Sequence, residues 1–558
     1  MNKTSIEFDV LIVGAGVTGA LVASRMAEQG ARVLVLEAGP PPGDRKEKVG
    51  RYARASEKIP SAPYEDLDAK PHSPIPKVID GKEGGHYAQQ GPDMFKSTYL
   101  RLGGGSTWHW LGNTPRLLPN DFLMKSLYGV GDDWPLTYEE LEPSYSDAEA
   151  ELGVSGDRLE WDGLYGAMRS TEFPMPPIWR AYGDRVFERL LGEQTYQGNQ
   201  LVIRSTPQAR NSIPYQGRPP CAGNSSCVPI CPIAAKYDAT VHIAKASSPR
   251  TAGSTPAIFR YRCVVKRLEA DQAGRVVGVH YQDWSSGAAK DEVVRASRYV
   301  LAAHAIETPV ILLASGLGTR SPVGRYLMDH PQGYGGALLP EPVFPFRGPP
   351  VTSGIDVFRD GDFRAQRAAF RISIGNDGWG RMQPIEETVR RMVFDRGLLG
   401  KELRQSVNHT VTRMLRLSYS TEMLPEASNR VELGPEDRNG HPKPKIHFTV
   451  PNYNLQAFEF ATKLFEWIFQ RIGVNSAEMK FSYPDKKFSG AGHIMGTCRM
   501  GMNTSNSVVD SFGRMHEHAN LFIVGSSVFT TGGTANPTLT AAALALRTAE
   551  AISKDLHA

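Results

Sequence analysis

A glycine-rich turn near the N-terminus constrains the fold of this 558-residue chain most strongly. Gly14, Gly16 and Gly19 follow the apolar residues 10–13 and open a helix-like stretch, and Glu37 ends the next apolar run. In such a βαβ pattern the first glycine allows a tight turn, the second lets the backbone approach a pyrophosphate, and the third lets helix and strand pack closely. Glu37 would then accept hydrogen bonds from an adenosine ribose. The pattern predicts a dinucleotide site and does not separate NAD from FAD.

Composition narrows the partners that we expect. Lys and Arg number 63 against 59 Asp and Glu, and a net charge of +4 gives no basic face for a phosphate backbone, so we expect no nucleic-acid partner. The longest apolar runs, around residues 299–306 and 539–546, are too short to span a membrane. The apolar residues 10–13 are followed directly by glycines and not by the small-residue cleavage site that ends a signal peptide. We therefore expect no signal peptide and no transmembrane segment in the chain itself.

Hydrophobic patterning predicts the order of elements. Residues 8–40 form one predicted βαβ unit; further on we expect short strands at 261–268, 276–283 and 292–301 and a helix at 307–314. Residues 334–450, with strands at 429–433 and 445–450, are predicted to build a separate, mainly antiparallel sheet. Residues 40–90, rich in Pro, Gly and charge, are expected to wrap a ligand or partner. The last seventy residues return to a Gly-rich pattern, so both ends are predicted to form one domain.

A second glycine cluster stands at residues 103–110, with the sequence Gly-Gly-Gly-Ser-Thr-Trp-His-Trp. Because these glycines leave backbone donors uncovered, the segment could cradle a phosphate or a flat ring, or it could be a surface loop. The adjacent Trp-His-Trp makes a plain loop the weaker interpretation.

Two C-terminal motifs complete the pattern. His493 lies in Gly-His-Ile-Met-Gly-Thr-Cys-Arg-Met-Gly at 492–501, and Asn536 lies in Gly-Gly-Thr-Ala-Asn-Pro-Thr-Leu-Thr at 532–540. With the N-terminal fingerprint, the second glycine loop and Asn-Arg-Val at 429–431, the chain resembles the glucose-methanol-choline (GMC) family of FAD oxidoreductases over most of its length. The resemblance implies that His493 lies beside the flavin N5 and that Asn536 is its partner.

The oxidation of an alcohol by a flavin explains why a histidine and an asparagine would be needed here. Oxidising an alcohol to a carbonyl removes the hydroxyl proton and transfers the carbon-bound hydrogen as hydride, which needs a base with a pKa near neutrality beside an electron-accepting ring. His493 is the candidate base. Asn536 can hydrogen-bond the same substrate oxygen without titrating.

The resemblance also implies the architecture and the cofactor residues. It implies an α/β fold, with a Rossmann-like FAD-binding domain at 1–45, 95–115, 200–330 and 490–558 and an interleaved substrate domain, on a mainly antiparallel sheet, at 46–94, 116–199 and 331–489. The residues implied to bind FAD are Gly14, Gly16, Gly19, Glu37, Gly103, Gly104, Gly105, Ser106, Thr107, His109, Val264, Gly525, Ser526, Asn536 and Thr538. Some family members attach FAD covalently through a His in a Ser-Thr-His-Trp loop; here Trp108 precedes His109, which leaves covalent attachment open.

Three of the five cysteines, Cys221, Cys227 and Cys231, fall within eleven residues. Thiols so close together suit zinc or an iron-sulfur cluster, and a disulfide plus one free thiol is the other possibility. For zinc, His242 has no diagnostic spacing as a fourth ligand. The residues alone leave these alternatives open.

This cysteine loop resembles that of the bacterial iron-sulfur sugar dehydrogenases within the GMC family, as do residues 107–110, 119–131 and 207–212. That resemblance implies a 3Fe-4S cluster on the three cysteines, a sugar substrate oxidised at C1 of glucose or C3 of a glucoside, and an acceptor other than oxygen. It also implies two partners, a small subunit that carries the export signal and a multihaem cytochrome c, and hence a periplasmic location at the inner membrane. The alternatives are a GMC alcohol or polyol dehydrogenase, a gluconate or fructose dehydrogenase, a flavin subunit that only relays electrons, and a zinc-binding NAD dehydrogenase.

Overall fold

The computed structural model of the chain describes residues 6–56, 58–59, 61–65, 72–75, 86–437, 439–482 and 490–557. Its α-helices are α1 (Val17–Glu28), α2 (Arg45–Arg54), α3 (Met124–Tyr128), α4 (Tyr138–Leu152), α5 (Arg158–Trp161), α6 (Tyr182–Leu191), α7 (Thr240–Ser247), α8 (His304–Ala314), α9 (Ile385–Phe394), α10 (Gly400–Val411), α11 (Asn452–Arg471) and α12 (Pro537–His557). Its strands are β1 (Phe8–Val13), β2 (Val33–Glu37), β3 (Ala88–Gln90), β4 (Thr195–Tyr196), β5 (Asn199–Gln200), β6 (Ile203–Ser205), β7 (Ile258–Tyr261), β8 (Cys263–Ala270), β9 (Val276–Asp283), β10 (Lys290–Val294), β11 (Ala296–Leu301), β12 (Gln332–Leu338), β13 (Val351–Ile355), β14 (Phe370–Gly375), β15 (Met414–Thr421), β16 (Arg430–Glu436), β17 (Pro442–His447), β18 (Met479–Ser482) and β19 (Leu521–Ile523).

A parallel sheet lies at the centre of the molecule, in the order β19-β11-β1-β2-β7. Helices α1, α7 and α12 pack together on one of its faces. Because helices and loops cover the sheet on both faces, residues 10–13 of β1 form an unbroken apolar run and do not alternate with polar residues. Strands from both ends of the chain meet here, so the predicted α/β class and the N-terminal βαβ unit are confirmed.

Two of the predicted strands are each divided in the structure. The predicted strand at 261–268 is β7 and β8, separated at Arg262, whose φ of 60° turns the chain out of the parallel sheet. The predicted strand at 292–301 is β10 and β11, which belong to different sheets. Strands β8, β9 and β10 form a three-stranded antiparallel sheet inserted between β7 and β11. The predicted helix at 307–314 is α8, which begins three residues earlier, at His304.

A second large sheet is fully antiparallel, in the order β18-β12-β15-β14-β13-β6. One face carries Ile372, Ile374, Leu417 and Tyr419, which pack against the apolar side of α11. The other face is polar and borders the central cavity. The predicted antiparallel sheet within 334–450 is therefore confirmed.

The predicted strands at 429–433 and 445–450 do not belong to that sheet. They are β16 and β17, which pair with each other, and β17 pairs in parallel with β3. The reason is packing: Val431 and Ile446 are buried in the core beneath α8, away from the six-stranded sheet. Which strands pair depends on contacts between residues far apart in sequence. The local pattern of apolar and polar residues does not predict these contacts.

The division into two interleaved domains at the stated boundaries stays a prediction. Residues 203–205, placed with the cofactor domain by the sequence, pair in the structure with β13 of the six-stranded sheet. Of the segment 40–90, the part that the structure describes contributes Lys58, Ser61 and Ser73 to the cavity wall; residues 57, 60, 66–71 and 76–85 lie outside the described residues. Among the helices described, none is long and apolar enough to cross a membrane.

Candidate active site

The first glycine turn is held by backbone contacts. Gly14 has a φ of 104°, and a side chain there would place its Cβ 2.6 Å from the carbonyl oxygen of Ala302. A Cβ on Gly19 would lie 2.0 Å from the Gly14 oxygen. A Cβ on Gly16 would meet nothing within 4 Å, because this position faces the open cavity. Gly14 and Gly19 therefore serve the fold, whereas Gly16 leaves space for a ligand.

Glu37 lies at the end of β2 beside this turn. Its Oε2 accepts a hydrogen bond from the Ala15 amide at 2.7 Å, and its Oε1 accepts one from the Gly39 amide at 2.9 Å. Burial raises the pKa of the carboxyl group, although both amides oppose that shift. Glu37 borders the cavity, and each of its oxygens has a second lone pair. Its role toward a ribose stays a prediction.

The second glycine loop lies directly against the first. Gly104 donates its amide to the Ala15 oxygen at 2.9 Å, and a Cβ on Gly105 would lie 3.1 Å from Gly16 Cα. Trp108 turns inward beneath the Arg45 guanidinium, 4.6 Å from its ring centroid, while His109 lines the cavity. This loop is therefore part of the cavity wall and not a free surface loop.

One cavity of about 1570 Å³ receives most of the predicted site residues. The predicted residues that line it are Gly14, Gly16, Glu37, Gly105, Ser106, Thr107, His109, Val264, His493, Gly525, Ser526, Asn536 and Thr538. Gly19, Gly103, Gly104 and the three clustered cysteines do not line it, but Ser225 and Val228 of the cysteine loop do. The structure thus brings the two glycine loops and the two C-terminal motifs to one cavity.

His493 and Asn536 meet at this cavity. Asn536 Nδ2 lies 3.0 Å from His493 Nε2. On the other side of the ring, His493 Nδ1 lies 2.9 Å from His330 Nδ1, and His330 Nε2 lies 3.2 Å from the Gly532 carbonyl oxygen. The four groups form one continuous hydrogen-bonded chain.

The direction of this chain follows from its last member. A carbonyl oxygen only accepts, so His330 Nε2 donates to Gly532 and His330 Nδ1 is an acceptor. His493 Nδ1 must then donate to His330, which leaves the lone pair of His493 on Nε2. Burial lowers the pKa of His330 to about 4, and burial together with His330 lowers the pKa of His493 well below its ordinary value. The imidazole of His493 is therefore neutral at neutral pH and carries its lone pair on Nε2, as the predicted role of a base requires.

Asp329 holds both histidines through their backbones. Its Oδ1 accepts from the His330 amide at 2.6 Å and from the His493 amide at 2.9 Å, and its Oδ2 accepts from the Ser97 hydroxyl. Burial raises the pKa of Asp329 to about 6. Sequence reasoning missed both Asp329 and His330; the only local signal was a polar Asp-His pair closing the apolar stretch Leu327–Met328.

The cysteine loop lies behind the second glycine loop. Cys227 and Cys231 are buried, Cys221 is partly buried, and all three are free thiols. Within the residues described, no three His, Cys, Asp or Glu side chains gather into a group that could hold a metal ion. The predicted zinc, cluster and disulfide alternatives therefore gain no geometric support from the positions of the three sulfurs.

Two buried cations surround this loop. Arg210 donates to Cys227 Sγ at 3.0 Å, to Gln208 Oε1 and to the Leu111 oxygen. Lys236 Nζ donates to the carbonyl oxygens of Cys227 (2.8 Å), Trp108 (3.1 Å) and Trp110. Burial lowers the pKa of Lys236 to about 8. Neither cation pairs with a carboxylate in the described part of the chain, so the loop is suited to a negatively charged group.

The chain matches three protein-family models. Residues 219–332 and 425–545 match the two GMC oxidoreductase family models, and residues 9–57 match the model for FAD dependent oxidoreductases. The fructose dehydrogenase large subunit of Gluconobacter japonicus is 33% identical over 100% of this chain and 99% of its own length. The 6'''-hydroxyparomomycin C oxidase of Streptomyces lividus is 30% identical over 99% of this chain and 92% of its own.

Two further proteins are similar at lower identity. The C-glycoside 3-oxidase of Microbacterium trichothecenolyticum is 25% identical over 99% of this chain and 98% of its own length. The crystal structure of pyridoxine 4-oxidase from Mesorbium loti superposes with a TM-score of 0.64 at 18% identity, covering 98% of this chain and 99% of that one. The latter likeness concerns the fold.

Proposed function

Because this chain belongs to the GMC oxidoreductase family, which uses FAD, we propose that it is a dehydrogenase that oxidises a hydroxyl group of a hexose or a glucoside. The proposed positions are C3 of a glucoside or C1 of glucose. The observation that carries the proposal is the His493–Asn536 pair, whose basic Nε2 lies at the wall of the cavity that also receives the glycine loops. The names of two relatives, a fructose dehydrogenase large subunit and a C-glycoside 3-oxidase, support a sugar or glycoside substrate.

The residues of the chain define the proton part of the reaction. A substrate hydroxyl that donates to His493 Nε2 replaces the Asn536 amide there, and Asn536 Nδ2 is then free to donate to the substrate oxygen. The bound FAD supplies an acceptor for the carbon-bound hydrogen, transferred as hydride. Gly16 would give the cofactor room, since a Cβ there would meet nothing within 4 Å.

Gly16→Val is expected to lower FAD occupancy at least roughly tenfold, because a β-branched side chain would fill the space beside the pyrophosphate position. The measurement is the ratio of flavin to protein absorbance after purification, with circular dichroism to show that the protein is folded. Gly19→Ala is the matched control. Its Cβ would collide with backbone, so it should lose the fold together with the flavin. A folded Gly16→Val protein with full flavin would remove this turn from the cofactor site.

We further propose that electrons leave through a 3Fe-4S cluster on Cys221, Cys227 and Cys231 to a cytochrome c. The support is the donor chemistry of three thiols in one loop and the two buried cations, Arg210 and Lys236, that an anionic cluster would neutralise. Cluster binding requires the loop to draw its three sulfurs together. The loop also borders, through Ser225 and Val228, the cavity that we propose binds FAD.

The proposed partners follow from this electron route. A cluster passes electrons singly, so its acceptor is a one-electron carrier such as a multihaem cytochrome c rather than oxygen. That one relative is named a large subunit supports a complex with further subunits. We propose a small subunit that carries the export signal, and a location at the periplasmic face of the inner membrane.

Anaerobic flavin bleaching tests the proposed function most directly. The purified holoenzyme is mixed with glucose, glucosides, fructose, gluconate, polyols and simple alcohols, with an artificial acceptor for turnover. Reduction by glucose or a glucoside is the expected result. Reduction only by polyols or simple alcohols, or by fructose or gluconate, would favour those alternatives, and a flavin that no substrate bleaches would favour a relay subunit.

A further inference from the structure

The polar face of the six-stranded sheet forms a floor to the cavity. Along β12, β14 and β15, side chains alternate between the apolar core and the cavity. The strand register places the residues on the cavity side of the sheet in three rows, and all of them except Gly336 and Gly375 line the cavity. Row one is Gln332, Ser420 and Arg371; row two is Tyr334, Ser418 and Ser373; row three is Gly336, Arg416 and Gly375.

These rows extend away from the catalytic pair. His330, which contacts His493, lies two residues before Gln332, and the backbone between them stays extended, since the Thr421 amide donates to the Pro331 oxygen. At about 3.3 Å per residue, rows one, two and three lie about 7, 13 and 20 Å along the strand from His330. A hexose ring is about as wide as one such interval. A single ring oxidised at His493 would therefore reach row one. A second ring joined to it would reach row two, where the guanidinium of Arg416 extends from row three to within 5.5 Å of the centroid of the Tyr334 ring.

The outer end has its own recognition groups. Arg416 Nε and Nη2 donate to Asp377 Oδ1 at 3.0 and 2.8 Å, and the guanidinium lies 5.5 Å from the centroid of the Tyr334 ring. Phe346, Pro350 and Pro384 also line the cavity, and the backbone of Asn376, next to Asp377, is hydrogen-bonded to Phe346 and Pro350. An aromatic and apolar wall beside a donor and acceptor pair is suited to the flat face and the hydroxyls of a sugar ring.

Two glycines leave space for the ion pair of Arg416 and Asp377. A Cβ on Gly375 would lie 2.8 Å from Arg416 Nη2 and 2.9 Å from Asp377 Oδ1, and one on Gly380 would lie 2.9 Å from Arg416 Nε. Both glycines are thus needed for the pair to sit where it does. The pairing engages one oxygen of Asp377, and among the described side chains no hydrogen-bond partner is found for Asp377 Oδ2 or Arg416 Nη1, although both residues line the cavity.

We infer that the substrate has at least two units: a sugar ring oxidised at His493, and a second sugar ring held at Tyr334, Asp377 and Arg416. The inference rests on the proposed function and narrows it from hexoses and glucosides to disaccharide-like glycosides. Arg416 and Asp377 are specificity-determining residues in this scheme and take no part in proton transfer.

The experiment compares glucose, methyl glucoside and maltose or cellobiose in anaerobic flavin reduction and in steady-state turnover. For the wild type, kcat/KM should be at least tenfold higher for a disaccharide than for glucose. Arg416→Met and the nearly isosteric Asp377→Asn should each reduce that ratio at least tenfold, mainly through a higher KM for the disaccharide. Arg390→Met is the matched control, because Arg390 also pairs with a carboxylate, Glu387, but does not line the cavity.

Each result separates this inference from the proposed function. A wild type that oxidises glucose as efficiently as any disaccharide overturns the two-unit site while leaving a sugar dehydrogenase intact. If kcat/KM falls equally for glucose and for the disaccharide in both variants, the Arg416–Asp377 pair serves the fold or binds the first sugar ring. That result also overturns the two-unit site. If no sugar bleaches the flavin, the proposed function itself is wrong. If Arg416→Met does not fold, the comparison of substrates with the wild type and the Asp377→Asn variant still test the two-unit site.

Discussion

His493→Ala is expected to slow flavin reduction by a saturating sugar by about 10²- to 10⁴-fold, the range for loss of a general base. The protein should keep its fold and its FAD, because the ring of His493 contacts only the catalytic groups His330 and Asn536 among the hydrogen-bond partners described. Anaerobic stopped-flow absorbance gives the rate constant. An unchanged rate would remove His493 from the mechanism.

Variants of His330 test the hydrogen-bonded chain that sets the tautomer of His493. His330→Leu removes the acceptor of the His493 Nδ1 proton, so the proton can move to Nε2 and block the base. His330→Asn places an amide oxygen near the same position and should recover part of the rate. If the two variants behave alike, His330 acts through packing and not through the tautomer.

The same chain predicts the pH dependence. Burial and the neighbouring His330 lower the pKa of His493 below its ordinary 6.5, so the base is already unprotonated at neutral pH. The rate of flavin reduction should therefore stay level on going from neutral to mildly alkaline pH. It should fall only as the pH drops through the lowered pKa, below 6.5, where His493 gains a proton. A rate that rises through pH 7 would contradict this assignment.

The sequence predicted those parts of this site whose geometry is determined by residues close together in the chain. Gly14 needs a positive φ, and Gly19 must lie against the Gly14 carbonyl five residues away, so the glycine spacing itself carries the geometry. The position of Asn536 just before the proline that starts α12 is likewise visible in the sequence. The predicted glycine turn and both members of the predicted pair, His493 and Asn536, lie at the wall of one cavity, and their roles there stay predictions.

The parts that were missed depend on pairing across the chain. His330 contacts His493 over a separation of 163 residues, and no spacing rule connects them. Strands β16 and β17 were assigned to the wrong sheet because an alternating strand does not indicate its partner. The burial of Arg210 and Lys236 could not be predicted either, because the sequence alone does not distinguish a buried cation from the common surface Arg or Lys.

Cys227→Ser is expected to separate the two half-reactions of the enzyme. If the three cysteines hold a 3Fe-4S cluster, a serine hydroxyl is a poorer ligand than a thiolate, so the cluster should be lost or damaged. Sugar should still bleach the flavin, because His493 and Asn536 are untouched. Electron transfer to a cytochrome or an electrode should fall by roughly 10²-fold or more, while a small dye that reaches the flavin is still reduced.

The control for that substitution is Cys498→Ser, which removes a buried free thiol outside the cysteine loop. It should leave the iron content and cytochrome reduction at the wild-type level. The measurements are iron per protein, low-temperature EPR of the oxidised protein, and parallel assays with dye and cytochrome. Zinc in place of iron in the wild type, or a Cys227→Ser protein that reduces its cytochrome at the normal rate, would exclude the relay. In that case Arg210 and Lys236 would hold the loop through the Cys227 sulfur and carbonyl oxygen, and the loop would serve the structure of the cavity wall.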